Sequence, residues 1–157
     1  MFNILLEKIT PDLYVEIEHL LYASWDSTKS SMGNGKLKLD MELRYQEQAL
    51  DNYVVAVAWD EFGNSVAVCS FWIRQDKLTN KFYAQNDLIY VKPEFRVEGN
   101  ARKIWNFCVE ELKSRGIFEV RMSVPISSPQ SFFKALGMVP RAITYSRIYD
   151  EESNNTG

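Results

Sequence analysis

Apolar positions recur along this chain with two periods, and the switches between them mark its elements. Leu13, Ile17, Leu20 and Leu21 fall at helical spacing after Thr10-Pro11-Asp12. Thr10 suits the cap of that helix and Pro11 its first residue, where a missing N–H leaves nothing unsatisfied. The helix is predicted to end near Tyr22. Residues 24–38 are polar around Gly33-Asn34-Gly35 and read as a mobile loop. Asp40 is placed to cap a second helix that reaches Leu50, with Leu43 and Leu50 on one face. Residues 2–8 read as a strand. Residues 52–59 and 65–74 are β-branched and apolar, and the Asp60-Glu-Phe-Gly63-Asn64 turn between them predicts an antiparallel hairpin. A further strand is expected over 82–91, stopped by Pro93.

Helical periodicity returns with Ala101, Ile104, Trp105, Cys108, Val109 and Leu112, and Gly116 is a natural end for that helix. Residues 117–124 read as a strand. Pro129 opens a short helix that ends at Leu136-Gly137, and residues 139–149 read as a closing strand. Residues 150–157 are acidic and polar and are expected to fray as a flexible tail. The order β-α-α-β-β-β-α-β-α-β predicts an α/β fold, a mixed sheet flanked by helices. With 157 residues, no internal repeat and no long linker, residues 1–157 read as a single domain.

Composition narrows the function. The net charge of −3 gives no general attraction to nucleic acid. No apolar run is long enough to span a membrane and the N-terminus has no secretory pattern, so the expected location is the cytoplasm. Cys69 and Cys108 sit in apolar stretches without metal-ligand spacing, so no metal is expected. His19 has no nucleophile or carboxylate pattern near it. Cys108 and the four tryptophans read as packing residues.

The chemistry is concentrated in Val91-Lys-Pro-Glu-Phe-Arg96-Val-Glu-Gly99-Asn-Ala101-Arg102, a strand, a loop and a first helical turn. Arg96-x-x-Gly99-x-Ala101 puts small residues where the loop must turn into the helix. Backbone N–H groups and the positive end of the helix dipole then converge on one point, which suits a phosphate. This loop resembles the R/Q-x-x-G-x-G/A pyrophosphate loop of the GCN5-related N-acetyltransferases (GNAT family). Phe132-Phe133-Lys134-Ala135-Leu136-Gly137-Met138 resembles that family's L-Y-E-K-L-G-F segment, in the right order and at similar spacing. The element order is similar over nearly the whole chain.

The resemblance implies a GNAT-like fold, acetyl-CoA as cosubstrate, and acetyl transfer to a primary amine of a small molecule or protein. A homodimer is compatible with it. Backbone groups of Arg96, Val97, Glu98, Gly99, Asn100, Ala101 and Arg102 would face the diphosphate. Main-chain groups of Ile89, Tyr90 and Val91 would pair with the pantetheine arm, and an N–H near Tyr90 would face the thioester oxygen. Strand alternation places Gln85 and Asp87 on one face with Ile89 and Val91. Asp87 is the candidate base for the amine proton, directly or through water, with Gln85 beside it; as a bare sequence feature it also reads as a structural carboxylate. Glu98 departs from the family pattern by setting a carboxylate beside a diphosphate, and Arg102 and Lys103 are placed to offset it. Phe133 stands where the family has a tyrosine near the sulfur, so the proton donor is missing there. Ser127, Ser128 and Tyr145 are the substitutes. The first two helices and residues 24–38 would wall the acceptor pocket. Glu16, Glu18, Asp40, Glu42 and Glu47 make that region acidic, which favours a cationic acceptor. The alternative is a weakly active or inactive member of the fold that binds CoA or a protein partner.

Overall fold

The computed structural model describes residues 1–32, 39–127, 129–147 and 149, with side chains of 27–32 left aside. Five strands form one sheet in the order β1-β2-β3-β4-β5: β1 Asn3–Glu7, β2 Tyr53–Trp59, β3 Ser65–Gln75, β4 Phe82–Val91 and β5 Val120–Arg121. All neighbours are antiparallel except β4 and β5, which are parallel. The helices are α1 Pro11–Met32, α2 Met41–Ala49, α3 Asn100–Ser114 and α4 Ser131–Ala135, with a 3-10 turn at Pro93–Phe95 before α3.

Each sheet face carries its own core, as expected of a layered α/β domain. On one side Ile17, Leu20 and Leu21 of α1 pack on Tyr53, Val55, Val57 and Val68. On the other, Ile104, Trp105, Cys108 and Leu112 of α3 pack on Val54, Ala56, Cys69, Phe71 and Ala84. The α3 stripe is the one its periodicity predicts. Its end is also as expected: Gly116 has φ +80, and the N–H of Ile117 closes on the Leu112 carbonyl at 3.0 Å. That bond satisfies a carbonyl the helix leaves open.

The caps are where the sequence puts them. Thr10 Oγ1 accepts from the Leu13 N–H at 3.2 Å, and Asp40 Oδ1 accepts from the Leu43 N–H at 2.9 Å. Helix α1, however, does not end near Tyr22 but continues to Met32, so residues 24–32 are helical rather than loop. No Gly or Pro interrupts the chain between Pro11 and Gly33, and polar residues alone do not stop a helix. The rest of the predicted loop, 33–38, lies outside the described residues, as does the tail from 150. Helix α2 also turns differently. Leu43 and Leu50 are exposed, and its buried residue is Arg44.

The C-terminal third is less regular than its pattern. Strand β5 holds two residues of the predicted 117–124, and among the described residues of 139–149 there is no strand. Val139, Ile143 and Tyr145 are exposed. β-propensity needs a partner edge to become a strand, and the described residues of this segment pair with none.

Candidate active site

Strands β4 and β5 pair only at Ala84↔Val120 and Gln85↔Arg121. Beyond Gln85 the two part, and β4 keeps its β3 neighbour while, among the described residues, no strand lies beside its other edge. The outward N–H and C=O groups of that edge are available to an extended, amide-rich ligand. The Val91 carbonyl is the exception, since Arg96 Nε donates to it at 2.7 Å. The Arg96 guanidinium also lies 5.3 Å from the Tyr90 ring centroid. Its side chain therefore braces the end of β4.

At the point of parting β4 carries a bulge. Ser70 pairs with Leu88 and Phe71 with Asn86, so Asp87 has no ladder partner of its own. The extra residue breaks the alternation on which the sequence reading relied. Gln85 lies opposite Trp72, and Asp87 reaches Tyr53, so both face α1 and α2. Ile89 and Val91 instead pack into the α3 core. The four residues do not share a face, as strict alternation had them do; Gln85 and Asp87 stand together without the other two.

Asp87 is held by three donors. Arg44 Nε donates to Oδ2 at 3.0 Å and Nη2 to Oδ1 at 2.9 Å, while the Tyr53 hydroxyl donates to Oδ2 at 2.6 Å. Burial pushes the Tyr53 phenol well above its usual range and the Asp87 charge adds to this, so it stays protonated and donates. Burial opposes the charge on Arg44, but the Asp87 carboxylate outweighs it and holds Arg44 above its ordinary value. A carboxylate can accept about four hydrogen bonds, so one position on Oδ1 is left. Asn86 secures the other side of the bulge: its amide donates to the Ser70 carbonyl at 3.0 Å and the Leu88 carbonyl at 3.1 Å. Arg44, Tyr53 and Asn86 were not singled out in the sequence. Nothing local marks them, because their roles come from partners far along the chain.

The loop after β4 forms a second cluster. Glu98 and Gly99 both have left-handed backbones, with φ 54 and 70. Gly99 is the N-cap of α3 and carries no capping side chain. A Cβ built on Gly99 would meet nothing within 4 Å, so the space above it is open. The Arg96 and Asn100 N–H groups are spent on Pro93 and Val97 carbonyls at 3.2 and 3.0 Å. The N–H groups of Val97, Glu98, Gly99, Ala101 and Arg102 have no partner among the described residues. Asn100 is buried and its amide donates to the Phe95 carbonyl at 2.9 Å, fixing the loop from below. Arg102 and Lys103 are exposed beside Glu98 on the same turn.

The remaining candidates lie apart. Phe133 is half-buried against Phe132, with ring centroids 5.4 Å apart. Tyr145 is 90 % exposed, and Ser128 lies outside the described residues. His19 Nε2 contacts the Ser65 carbonyl at 3.1 Å, on the rim of a cavity of about 340 Å³ also lined by Glu16, Lys92 and Glu94. Cys69 and Cys108 are buried free thiols, and burial pushes Cys69 up. Among the described residues no acidic, His or Cys group could hold a metal, and no helix is long and apolar enough to cross a membrane.

Known proteins share this fold. Residues 16–138 match the model of the acetyltransferase (GNAT) family. A thialysine N-epsilon-acetyltransferase of Caenorhabditis elegans is 23 % identical over 128 residues, 79 % of this chain and 74 % of that protein. Among solved structures, glucosamine-6-phosphate N-acetyltransferase from Arabidopsis thaliana superposes with a TM-score of 0.68 at 21 % identity, covering 96 % of this chain and 99 % of that one. A "predicted acetyltransferase with acetyl-CoA" from Clostridium acetobutylicum gives 0.67 at 16 % identity over 100 % of both chains.

Proposed function

Since the chain belongs to the acetyltransferase (GNAT) family, we propose that it uses acetyl-CoA to acetylate a primary amine on a small molecule or protein in the cytoplasm. The observation that carries this reading is the pairing of two features on one strand. The outer edge of β4 is open from the parting of β4 and β5, and the loop that follows it leaves five N–H groups without partners around an open left-handed glycine. An amide-rich arm ending in a diphosphate fits both. Gln85 and Asp87 face the amine side, at the point where the strands part.

The cosubstrate supplies an activated acetyl group on sulfur: the amine nitrogen forms the new C–N bond, the C–S bond breaks, and the sulfur leaves as a thiolate that takes its proton from water. This chain's residues do the rest. The N–H groups of Gly99, Ala101 and Arg102 bind the diphosphate, aided by the dipole of α3. The residual acceptor position of Asp87 Oδ1 takes a hydrogen bond from the amine or from a water next to it, and Gln85 adds a second polar contact. The amine proton leaves by this route. Phe133 donates no proton, and a thiolate with a solution pKa near about 8.5 leaves without one.

A second reading keeps the binding and drops the catalysis, and Glu98 and Phe133 favour it. Two measurements divide the cases. Millimolar acetyl-CoA raises the melting temperature if the cosubstrate binds; stabilisation is RT ln(1 + [L]/Kd), about 2.7 kcal/mol at 100 times Kd. Thiol release from acetyl-CoA across an amine panel then reports transfer. A melting shift without amine-dependent thiol release leaves a binding module; no shift removes the acetyl-CoA assignment.

A further inference from the structure

We infer that the amine acceptor also carries an anionic group, a carboxylate or a phosphate, and that Arg74 binds it from its seat on Trp72; this rests on the acetyl-transfer reading above. Arg44, Arg74 and Arg121 lie on the sheet face that Gln85 and Asp87 share. Arg44 is spent on Asp87. Arg121 is spent on Asp76 at 2.9 Å and Glu119 at 2.7 Å. Arg74 is different: among the described residues it has no ion pair and no hydrogen bond, and its contact is with an aromatic ring.

That ring fixes where the free charge sits. The guanidinium carbons of Arg44 and Arg74 each lie 5.0 Å from the Trp72 centroid, so they are no farther apart than twice that distance. Trp72 is paired with Gln85, the last β4 residue that β5 covers. Arg74 itself stands opposite Tyr83, two residues before Gln85, and leans onto Trp72 toward the parting, on the face away from α3. Stacking on an indole face holds the long side chain in place, so less rotamer freedom is lost when a ligand binds. All five N–H donors are unspent, in a planar fork that matches a carboxylate or phosphate with two parallel hydrogen bonds. The acidic residues of α1 and α2 complement this arrangement rather than contradict it. An acceptor with an ammonium group toward Asp87 and an anion toward Arg74 is a zwitterion.

Matched amines test the assignment. Thiol release from acetyl-CoA is compared for L-lysine against 1,5-diaminopentane, which lacks only the carboxylate, and for glucosamine 6-phosphate against glucosamine. We expect the anionic member of at least one pair to have a kcat/KM higher by about tenfold or more, mainly through KM, as the loss of a charged recognition contact implies. The pair with the larger ratio identifies the anion. Arg74→Ala and Arg74→Gln should bring that ratio towards one, and Arg74→Lys should restore part of it. Lys77→Ala, which alters an exposed charge nearby on the chain, should leave the ratio as it was. Normal thiol release with equal kcat/KM within both pairs, or a ratio that survives Arg74→Ala and Arg74→Gln, overturns the role of Arg74 while acetyl transfer stands. No thiol release from any of the four amines, with the acetyl-CoA melting shift intact, overturns acetyl transfer to these acceptors and the Arg74 assignment with it.

Discussion

Arg44 grips Asp87 with two parallel hydrogen bonds, 2.9 and 3.0 Å long, and both side chains are 10 % exposed. One residue belongs to α2 and the other to the bulge of β4, 43 positions apart. The pair ties α2 to the strand position where β4 and β5 part. Asp40 contributes through its carbonyl, which accepts Arg44 Nη1 at 3.0 Å, and Tyr53 adds the third donor to Asp87. The assembly is nearly saturated, as a buried ionic network must be to avoid a net cost.

Removing one member should therefore cost more than the pair is worth. Asp87→Asn leaves Arg44 buried without a counter-charge, and Arg44→Met leaves Asp87 with the Tyr53 hydroxyl alone. Each should lose about 3–5 kcal/mol of stability. The double variant Arg44→Met/Asp87→Asn should lose less than the sum, since no charge is stranded. Urea midpoints read this directly. Additive losses would mean that the two residues do not act as a unit. In the proposed reaction Asp87→Asn should also slow acetyl transfer by about 10²–10⁴-fold, with the deficit shrinking at high pH, where more amine is already neutral.

The proposed phosphate loop makes a separate prediction. Gly99→Glu puts a carboxylate into the open space over the unpaired N–H groups, and should weaken acetyl-CoA binding at least tenfold. Its backbone, at φ 70, also strains any L residue by about 1–2 kcal/mol. Gly99→Ala carries that strain without the charge and serves as its control. Glu98→Lys keeps the left-handed backbone and reverses the charge, so it should tighten binding, less so in high salt. Calorimetric titration of the folded variants measures all three. Equal affinities for Gly99→Glu and Gly99→Ala would move the diphosphate away from this loop.

How much of this was legible beforehand depends on the range of the interaction. Thr10, Asp40 and Gly116 act within one helical turn, and each was placed correctly from neighbours alone. So were the α3 stripe and the β2–β3 hairpin, where periodicity carries the information. The bulge at Asp87 has no such mark. It carries no glycine, and its cause is a register step against Ser70 and Phe71 sixteen or so positions away. Alternation read through it assigns Ile89 and Val91 to the wrong side. Arg44 was missed for the same reason: a helix rule turns leucines inward, but the Asp87 carboxylate turned this helix by its arginine. The small-residue pattern at Gly99 was readable as a loop. The count of N–H groups left over was not, because it depends on where Pro93 and Val97 carbonyls end up.

Acid should loosen the parting of β4 and β5 from the β5 side. Hydrogen bonds from Arg121 hold Asp76 and Glu119 below their ordinary values of 3.8 and 4.5. Carboxylates depressed in the folded state stabilise it above their unfolded values, and that stabilisation is lost as pH falls through the folded ones. The window therefore opens near pH 4.5 and extends below 4. The Ala84 N–H, bonded to the Glu119 carbonyl at 2.9 Å, is a reporter of this junction. Its hydrogen exchange should accelerate, relative to amides of β2, as pH drops through the window, after correction for intrinsic rates. Arg121→Gln should remove most of the pH dependence. A wild-type slope in Arg121→Gln would place the titrating groups elsewhere.

Asn86 makes the last prediction, because its side chain spans the bulge. Its amide nitrogen donates both to the Ser70 carbonyl on the neighbouring strand and to the Leu88 carbonyl two residues on, so it links the two strands at the register step. Asn86→Ala leaves both without this donor and should cost about 1–3 kcal/mol. Asn86→Asp should be worse, since it sets a carboxylate against two carbonyl oxygens. The effect on function follows from position. In the proposed reaction the bulge presents Asp87 to the amine, and a misplacement of about 1 Å can cost on the order of 10²-fold in rate. The acetyl-CoA affinity should change little, because the loop from Arg96 to Arg102 is braced separately by Asn100 and Arg96. The expected signature is thus a lowered kcat with a near-normal acetyl-CoA melting shift, together with faster amide exchange at Leu88 and Ile89. An Asn86→Ala protein with wild-type stability, exchange and kcat would show that the bulge is set by Arg44 and Tyr53 holding Asp87, and not by the amide that crosses it.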